Sequence, residues 1–176
     1  RGPIVGLVLG VAVFSVYTYS NKLVYHGLGE TFVAVKGALI VFGTYFVLTN
    51  SVEIIPLYNG IIVGILSSCV LYVTSFPDFD ADKSKGRKTL VISLGKERAL
   101  NLYPILLISP YILIVLGILL NQIVSYSVIC FISTPYLLKA IKAIKKSSPK
   151  DLLVAMGSTL ILARITGIML IISYLL

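Results

Sequence analysis

A charged stretch in the middle of the chain, Phe76–Arg98, reads FPDFDADKSKGRKTLVISLGKER. It is called the charged loop below, because the residues on either side of it are almost all apolar. Of the chain's seven acidic and fifteen basic residues, it holds the acidic residues Asp78, Asp80, Asp82 and Glu97 together with Lys83, Lys85, Arg87, Lys88, Lys96 and Arg98. The stretch therefore predicts a polar segment between two hydrophobic, membrane-embedded elements.

The composition of the chain indicates an integral membrane protein. The chain has 176 residues, of which 57% are hydrophobic and 12% are charged, whereas soluble domains are about 25% charged. Its net charge of +8 lies mainly in segments between apolar runs, so it does not predict a nucleic-acid partner. Cys69 and Cys130 fall inside apolar segments, and we expect both to be small buried residues.

Six segments are long and apolar enough to span a membrane, since a spanning helix needs about 20 mostly apolar residues. We therefore predict an all-α, polytopic transmembrane helix bundle that forms one domain over residues 1–176. The predicted spans are Pro3–Tyr19, Gly29–Thr49, Ile54–Phe76, Leu100–Leu120, Ile123–Ile141 and Leu152–Tyr174.

Along the chain, connecting segments that carry lysine or arginine alternate with connecting segments that carry neither. The segments Ser20–Leu28, Phe76–Arg98 and Lys139–Lys150 carry lysine or arginine, whereas Asn50–Glu53 and Asn121–Gln122 carry neither. With six spans the three basic segments lie on one side, which the positive-inside rule assigns to the cytoplasm. We therefore expect the charged loop to face the cytoplasm from the plasma or inner membrane.

A helix-capping residue and several prolines indicate where some helices begin, end or bend. Asp151 resembles an N-cap that opens the last span, and Pro77 predicts that the third span ends or kinks at the charged loop. Three further prolines are expected to kink their helices and free carbonyl groups for neighbouring helices; they are Pro104, Pro110 and Pro135.

The residue types of the charged loop suit a metal-bridged polyphosphate. On helical backbone Asp78 and Asp82 share one face, whereas Asp80 points elsewhere. Carboxylates bind Mg²⁺, the metal binds phosphate oxygens, and lysine and arginine neutralise the remaining charge. Gly86 permits a turn and Thr89 adds a hydroxyl. A solvated loop of mixed charge between two helices is the alternative interpretation.

A few other polar residues lie within the predicted spans or on the same side of the membrane as the charged loop. Lys36 either reaches back to the interface or lines a cavity, and Arg164 lies deeper without an obvious charged partner. The tyrosines near the first basic segment form an interfacial aromatic belt or flank a carbocation by cation–π contacts, and Lys22 could meet diphosphate oxygens. This cluster comprises Tyr17, Tyr19, Asn21, Lys22, Tyr25 and His26.

The charged loop resembles the second aspartate-rich motif of the UbiA-type intramembrane prenyltransferases. The matching residues are Asp78-Phe-Asp-Ala-Asp82-Lys83, Gly86-Arg87-Lys88-Thr89-Leu90, Leu94-Gly95 and Glu97-Arg98-Ala99. Three further stretches are similar to the branch that prenylates dihydroxynaphthoate in menaquinone synthesis: Tyr17-Thr18, Tyr25–Glu30 and Gly43–Thr49.

The resemblance implies a nine-helix bundle around a central cavity, in which two aspartate-rich motifs face each other. The six spans here would correspond to helices four to nine, the C-terminal two thirds, and the first motif is absent from the chain. We therefore expect the chain alone to be inactive. Lys36 also departs from the branch, which typically carries an apolar or aromatic residue there, so the resemblance is weakest near the acceptor.

The resemblance further implies Mg²⁺-dependent transfer of a polyprenyl group from its diphosphate to an aromatic acceptor such as a dihydroxynaphthoate. Asp78 and Asp82 would be catalytic, and the metal ligands would be Asp78, Asp80 and Asp82. The diphosphate would contact Lys83, Arg87, Lys88 and Lys22, and the substrate cavity would include Tyr17, Tyr19, Tyr25 and Lys36. A non-aromatic acceptor such as geranylgeranylglyceryl phosphate, or a fragment of a transporter or channel, are the alternatives. Membrane lipids are expected partners in every case.

Overall fold

The computed structural model describes residues 27–146 and 148–176, together with Gly6, Gly10 and Val13. Within these residues all regular secondary structure is helical. Its elements are α1 (Gly29–Thr49), α2 (Ile54–Thr74), α3 (Phe79–Ser84), α4 (Leu90–Leu94), α5 (Lys96–Leu119), the 3₁₀ helix η1 (Ser125–Ser133), α6 (Thr134–Lys146) and α7 (Pro149–Ser173).

Five helical segments in the described part of the chain are long and apolar enough to cross a membrane. They are Gly29–Thr49, Ile54–Thr74, Lys96–Leu119, Ser125–Lys146, which joins η1 to α6, and Pro149–Ser173. The all-α polytopic bundle is therefore confirmed. The remaining predicted span, Pro3–Tyr19, lies outside the described residues except for the three single positions named above.

Helices α1 and α2 pack closely because small residues line their contact. A Cβ atom added to Gly60 would lie 2.6 Å from the carbonyl oxygen of Ala38, and one added to Gly64 would overlap the carbonyl oxygen of Ala34. Small residues let membrane helices approach until their backbones touch, and the resulting dispersion contacts replace the hydrophobic effect that lipid cannot supply. This pair of helices is therefore intolerant of added side-chain volume.

Aromatic side chains join α2, α5 and α7 in the core. The rings of Tyr72 and Tyr103 stack with centroids 6.4 Å apart, and the Tyr72 hydroxyl donates to the carbonyl oxygen of Ala99 at 3.0 Å. The Tyr103 hydroxyl hydrogen-bonds the Thr159 hydroxyl on α7. Both tyrosine hydroxyls thus have partners, as a buried polar group requires.

A proline in α5 frees a carbonyl group for a neighbouring helix, as the sequence predicts. Pro110 lies inside α5 and has no N–H to give to the carbonyl of Leu106, four residues earlier. That carbonyl oxygen accepts the hydroxyl of Ser109 at 2.8 Å and the thiol of Cys69, on α2, at 3.4 Å. Cys69 and Cys130 are both buried and free, so the expectation of small buried residues is confirmed.

The boundary of the last helix differs from the sequence prediction. Helix α7 begins at Pro149, and its N-cap is Ser148, whose hydroxyl accepts the backbone N–H of Asp151 at 3.2 Å. The prediction of Asp151 as the N-cap was wrong, because serine followed by proline at the first helical position is the stronger start signal. At the charged loop α2 ends at Thr74, before Pro77, as expected.

The order of the spans places two basic segments at the same end of the bundle. Each long helix reverses the direction of the preceding one, so the start of α1, the charged loop and the junction between α6 and α7 share one end. At the other end the Asn59 amide donates to the hydroxyl of Tyr174 at 2.7 Å. We call these the basic end and the opposite end.

Candidate functional site

The charged loop is partly helical, and its fold places two carboxylates one turn apart. Asp78 immediately precedes α3, and the backbone N–H of Asp82 donates to the carbonyl oxygen of Asp78 at 2.8 Å. The two side chains therefore lie on the same face of one helical turn, as their spacing predicts. Gly86, with φ of 73°, makes the turn after α3, which only glycine adopts without steric cost.

The three aspartates have different surroundings. Asp78 and Asp80 are exposed, whereas the Asp82 side chain is only 15% exposed. Its Oδ1 atom lies 3.2 Å from a guanidinium nitrogen of Arg87, and the two residues form an ion pair. Arg87 thus already neutralises one of the carboxylates that the sequence assigns to a metal.

The other predicted phosphate-binding cations of the loop are exposed at the same end of the bundle. Lys83 follows Asp82 directly, and its ammonium nitrogen lies 5.8 Å from the ring centroid of Phe79. Lys88 is exposed two residues before α4. All of these cations therefore lie within a few residues of the carboxylates along the chain.

One residue in the first turn of α1 and one just before it contact the second half of the charged loop, at α4. The Glu30 carboxylate is buried, and both of its oxygens lie 3.2 Å from the backbone N–H of Leu90, which donates to them. Gly27 packs so closely on α4 that an added Cβ would lie 2.5 Å from the hydroxyl oxygen of Ser93. Thr89 caps α4 by accepting the N–H of Ile92 at 3.3 Å.

Glu30 is not among the predicted site residues and is only the last residue of the stretch Tyr25–Glu30 that resembles the family. The available signal was a carboxylate in the first turn of an otherwise apolar span, where burial demands a hydrogen-bond donor. The Thr89 hydroxyl also has a structural role, because it accepts the hydrogen bond that caps the N-terminus of α4.

The described residues can bind magnesium only if the protein supplies few of the ligands of the ion. They contain no group of three or more acidic, histidine or cysteine side chains close enough to hold a metal ion. Magnesium, however, commonly takes one or two carboxylates and completes its shell with water and substrate phosphates. Asp78 and Asp82 match that requirement, whereas the structure does not bring Asp80 onto their face.

The remaining predicted site residues lie elsewhere or outside the described part. Tyr17, Tyr19, Lys22 and Tyr25 fall outside the described residues, as does His26. Lys36 is exposed on α1.

Arg164 lines a cavity of about 650 Å³ towards the opposite end. Tyr45 and Asn59 also line this cavity, whose other walls are mainly apolar. Arg164 therefore belongs to a different region from the charged loop.

Taken together, these features define a polytopic membrane protein whose polar chemistry is concentrated at one end of a helical bundle. The model of the UbiA prenyltransferase family matches residues 2–167, and the chain belongs to this family. Its apolar helices and its family make it an integral membrane protein.

Three of the similar proteins have names that specify prenylation of a naphthoate or a naphthoquinone. The 1,4-dihydroxy-2-naphthoate octaprenyltransferase of Bacillus subtilis is 28% identical over 89% of this chain and 51% of its own length. The corresponding octaprenyltransferase of Haemophilus influenzae is 30% identical over 71% of this chain and 41% of its own. The 2-carboxy-1,4-naphthoquinone phytyltransferase of Synechocystis is 26% identical over 76% of this chain and 45% of its own length.

The resemblance to the menaquinone branch is thereby confirmed at modest identity. The chain spans about half the length of the relatives it matches. No solved structure showed significant similarity to it.

Proposed function

We propose that the whole protein transfers a polyprenyl group from its diphosphate to an aromatic, dihydroxynaphthoate-like acceptor, and that this chain supplies one side of the diphosphate site. The proposal is supported above all by the pair of carboxylates one helical turn apart, Asp78 and Asp82, beside clustered cations. Family membership supports the reaction class, and the names of the similar proteins support the acceptor.

Asp78 and Asp82 would hold Mg²⁺ when the diphosphate binds. The metal, once bound, supplies positive charge that makes the diphosphate a better leaving group. The ion pair with Arg87 compensates the charge of the Asp82 carboxylate. Asp80 does not lie on this face of the helix, so we propose that it contacts the bound metal only through water molecules.

The cations of the loop perform the remaining electrostatic work. Lys83, Arg87 and Lys88 would neutralise the diphosphate oxygens as the allylic carbon–oxygen bond breaks and its electron pair leaves with the diphosphate. Because Arg87 offers a planar fork of donors, it can bind phosphate oxygens with two hydrogen bonds. An electron-rich carbon of the acceptor then attacks the prenyl cation, and that carbon loses its displaced substituent, a proton or a carboxylate released as carbon dioxide, which restores the aromatic ring.

The setting within the membrane suits this chemistry. A polyprenyl tail is soluble in lipid and can enter between helices, whereas its charged head needs a polar end of the bundle. Apolar walls next to the reacting carbon exclude water, which would otherwise capture the cation. We further propose that the basic end faces the cytoplasm, in line with the positive-inside rule.

Turnover of labelled polyprenyl diphosphate by the whole protein in membranes tests the proposal. Asp78→Asn and Asp82→Asn should each lower turnover by orders of magnitude while protein yield and thermal unfolding stay unchanged. Glu53→Gln is the matched control, since Glu53 is an exposed carboxylate at the opposite end. Near-normal turnover in both aspartate variants would contradict the metal-ligand assignment.

The acceptor is tested separately by offering a dihydroxynaphthoate and a prenylated glycerol phosphate to the same enzyme. We expect prenylation of the aromatic acceptor alone. Prenylation of the glycerol phosphate alone would contradict the aromatic assignment while leaving the diphosphate site intact.

A further inference from the structure

A second basic feature lies apart from the charged loop, in a groove between α6 and α7. The groove encloses about 520 Å³ at the basic end of the bundle. Three lysines line it, Lys139, Lys142 and Lys146. Their spacing of three and four residues places them on one face of α6, so their charges converge on the groove.

The same groove has an apolar part that lies further from the basic end. Pro135 and Leu138 of α6 and Val154 of α7 line it together with the lysines. On α6 the apolar residues come before Lys142 and Lys146, and therefore lie further from the basic end. The groove thus changes from charged at the basic end to apolar further along the outer surface of α6 and α7.

Negative charge in the groove is limited to one residue. Asp151 lines it, and its carboxylate accepts a hydrogen bond from the hydroxyl of Ser148 in the N-cap of α7. The ion pair between Asp82 and Arg87 is the single pair recorded in the described residues, so Asp151 pairs with none of the three lysines. The lining side chains therefore keep a surplus of two positive charges.

We propose that this groove binds an anionic phospholipid. The lysines would hold the headgroup phosphate, and an acyl chain would lie against Leu138 and Val154. Lys139 lies about 10 Å along the helix from Lys146, so the lysine row covers the depth between headgroup and glycerol, and long side chains reach along it. Basic pockets between membrane helices recognise such headgroups by this combination of charge and depth.

The proposal does not depend on the prenyl-transfer function, because it uses no residue of the charged loop. It is also distinct from a general excess of lysine at a membrane surface. Lys145 and Lys150 are exposed in the same region and do not line the groove. A general effect would treat all of these lysines alike, whereas a site distinguishes the two sets.

Native mass spectrometry of the purified whole protein tests the site. With phosphatidylglycerol as the probe and phosphatidylcholine as the neutral reference, we expect the wild-type protein to retain phosphatidylglycerol selectively. The double variant K139Q/K142Q should bind it about tenfold more weakly or worse. The control K145Q/K150Q removes the same charge and should change binding less than about twofold. Thermal unfolding in phosphatidylcholine should be equal for all three proteins.

Equal loss in both double variants, or no loss in either, would overturn the proposal. An excess of inorganic phosphate is added in a second series. If it displaces phosphatidylglycerol, the groove is a site for free phosphate and the lipid proposal fails. If binding persists in phosphate but falls with rising salt only in proteins that keep Lys139 and Lys142, the proposal is supported.

Discussion

Both carboxylate oxygens of Glu30 lie 3.2 Å from the backbone nitrogen of Leu90, sixty residues later in the chain. Glu30 is buried in the first turn of α1, and Leu90 is the first residue of α4. The contact connects the charged loop to a long membrane helix. Because a buried carboxyl oxygen needs a hydrogen-bond donor, this contact holds the loop against the bundle.

Glu30→Ala should loosen the charged loop without unfolding the bundle. Loss of the acceptor leaves the N–H of Leu90 without its partner, which costs about 1–3 kcal/mol, so hydrogen exchange at that amide should become at least about fivefold faster. Glu53→Ala removes an exposed carboxylate at the opposite end and should leave that exchange unchanged. Unchanged exchange at Leu90 in the Glu30 variant would show that the contact does not hold the loop.

Gly64→Ala should destabilise the packing of α1 on α2, because the added Cβ would overlap the carbonyl oxygen of Ala34. We expect a clear fall in the thermal unfolding temperature, or loss of folded protein from the membrane fraction. Gly157→Ala is the control, since an added Cβ there meets no atom within 4 Å. Alanine at that helical position should be neutral or slightly stabilising, by up to about 1 kcal/mol. Equal behaviour of the two variants would contradict close backbone packing at Gly64.

Arg87→Gln should weaken donor binding more than it changes stability. Arg87 is 54% exposed in its ion pair with Asp82, and exposed pairs contribute about 1 kcal/mol or less. The expected result is a several-fold rise in KM for the polyprenyl diphosphate with an unchanged unfolding temperature. Lys85→Gln, in the same loop, is the control and should leave KM near the wild-type value. A large stability loss with unchanged KM would assign Arg87 a structural role instead.

Cys69 and Cys130 should resist alkylation in the folded protein. Their relative exposures are 1% and 0%, and each thiol is directed at a backbone carbonyl, of Leu106 and Thr166 respectively. A maleimide should label neither residue until the protein is denatured. Ser84→Cys, at an exposed position of α3, should be labelled quickly and verifies that the reagent is active. Rapid labelling of Cys69 or Cys130 in the native state would contradict their burial.

The membrane helices were predictable because long apolar runs determine them. The bounds of Gly29–Thr49 agree with the prediction, and the ends of the other four described spans differ by a few residues. Local geometry was also predictable in the charged loop, where the spacing of Asp78 and Asp82 determines their common face. In both cases the information lies within a few neighbouring residues.

Features that depend on contacts between elements, on the course of a turn or on competing local signals were not predictable. The partnership of Glu30 with Leu90 joins residues in different elements, and no periodic pattern marks it. The ion pair between Asp82 and Arg87 depends on the turn at Gly86, which returns the chain towards α3. The start of α7 at Pro149 was missed because two adjacent start signals compete, and Ser148 rather than Asp151 provides the cap.

Binding of a diphosphate with and without magnesium tests the central claim most directly. Calorimetry on the whole protein would use a polyprenyl thiolodiphosphate, in which the carbon–sulfur bond resists ionisation. We expect binding that requires Mg²⁺ in the wild-type protein and in Glu53→Gln, and that is lost in the double variant D78N/D82N. Binding of equal strength without magnesium, or in the double variant, would contradict the assignment of Asp78 and Asp82.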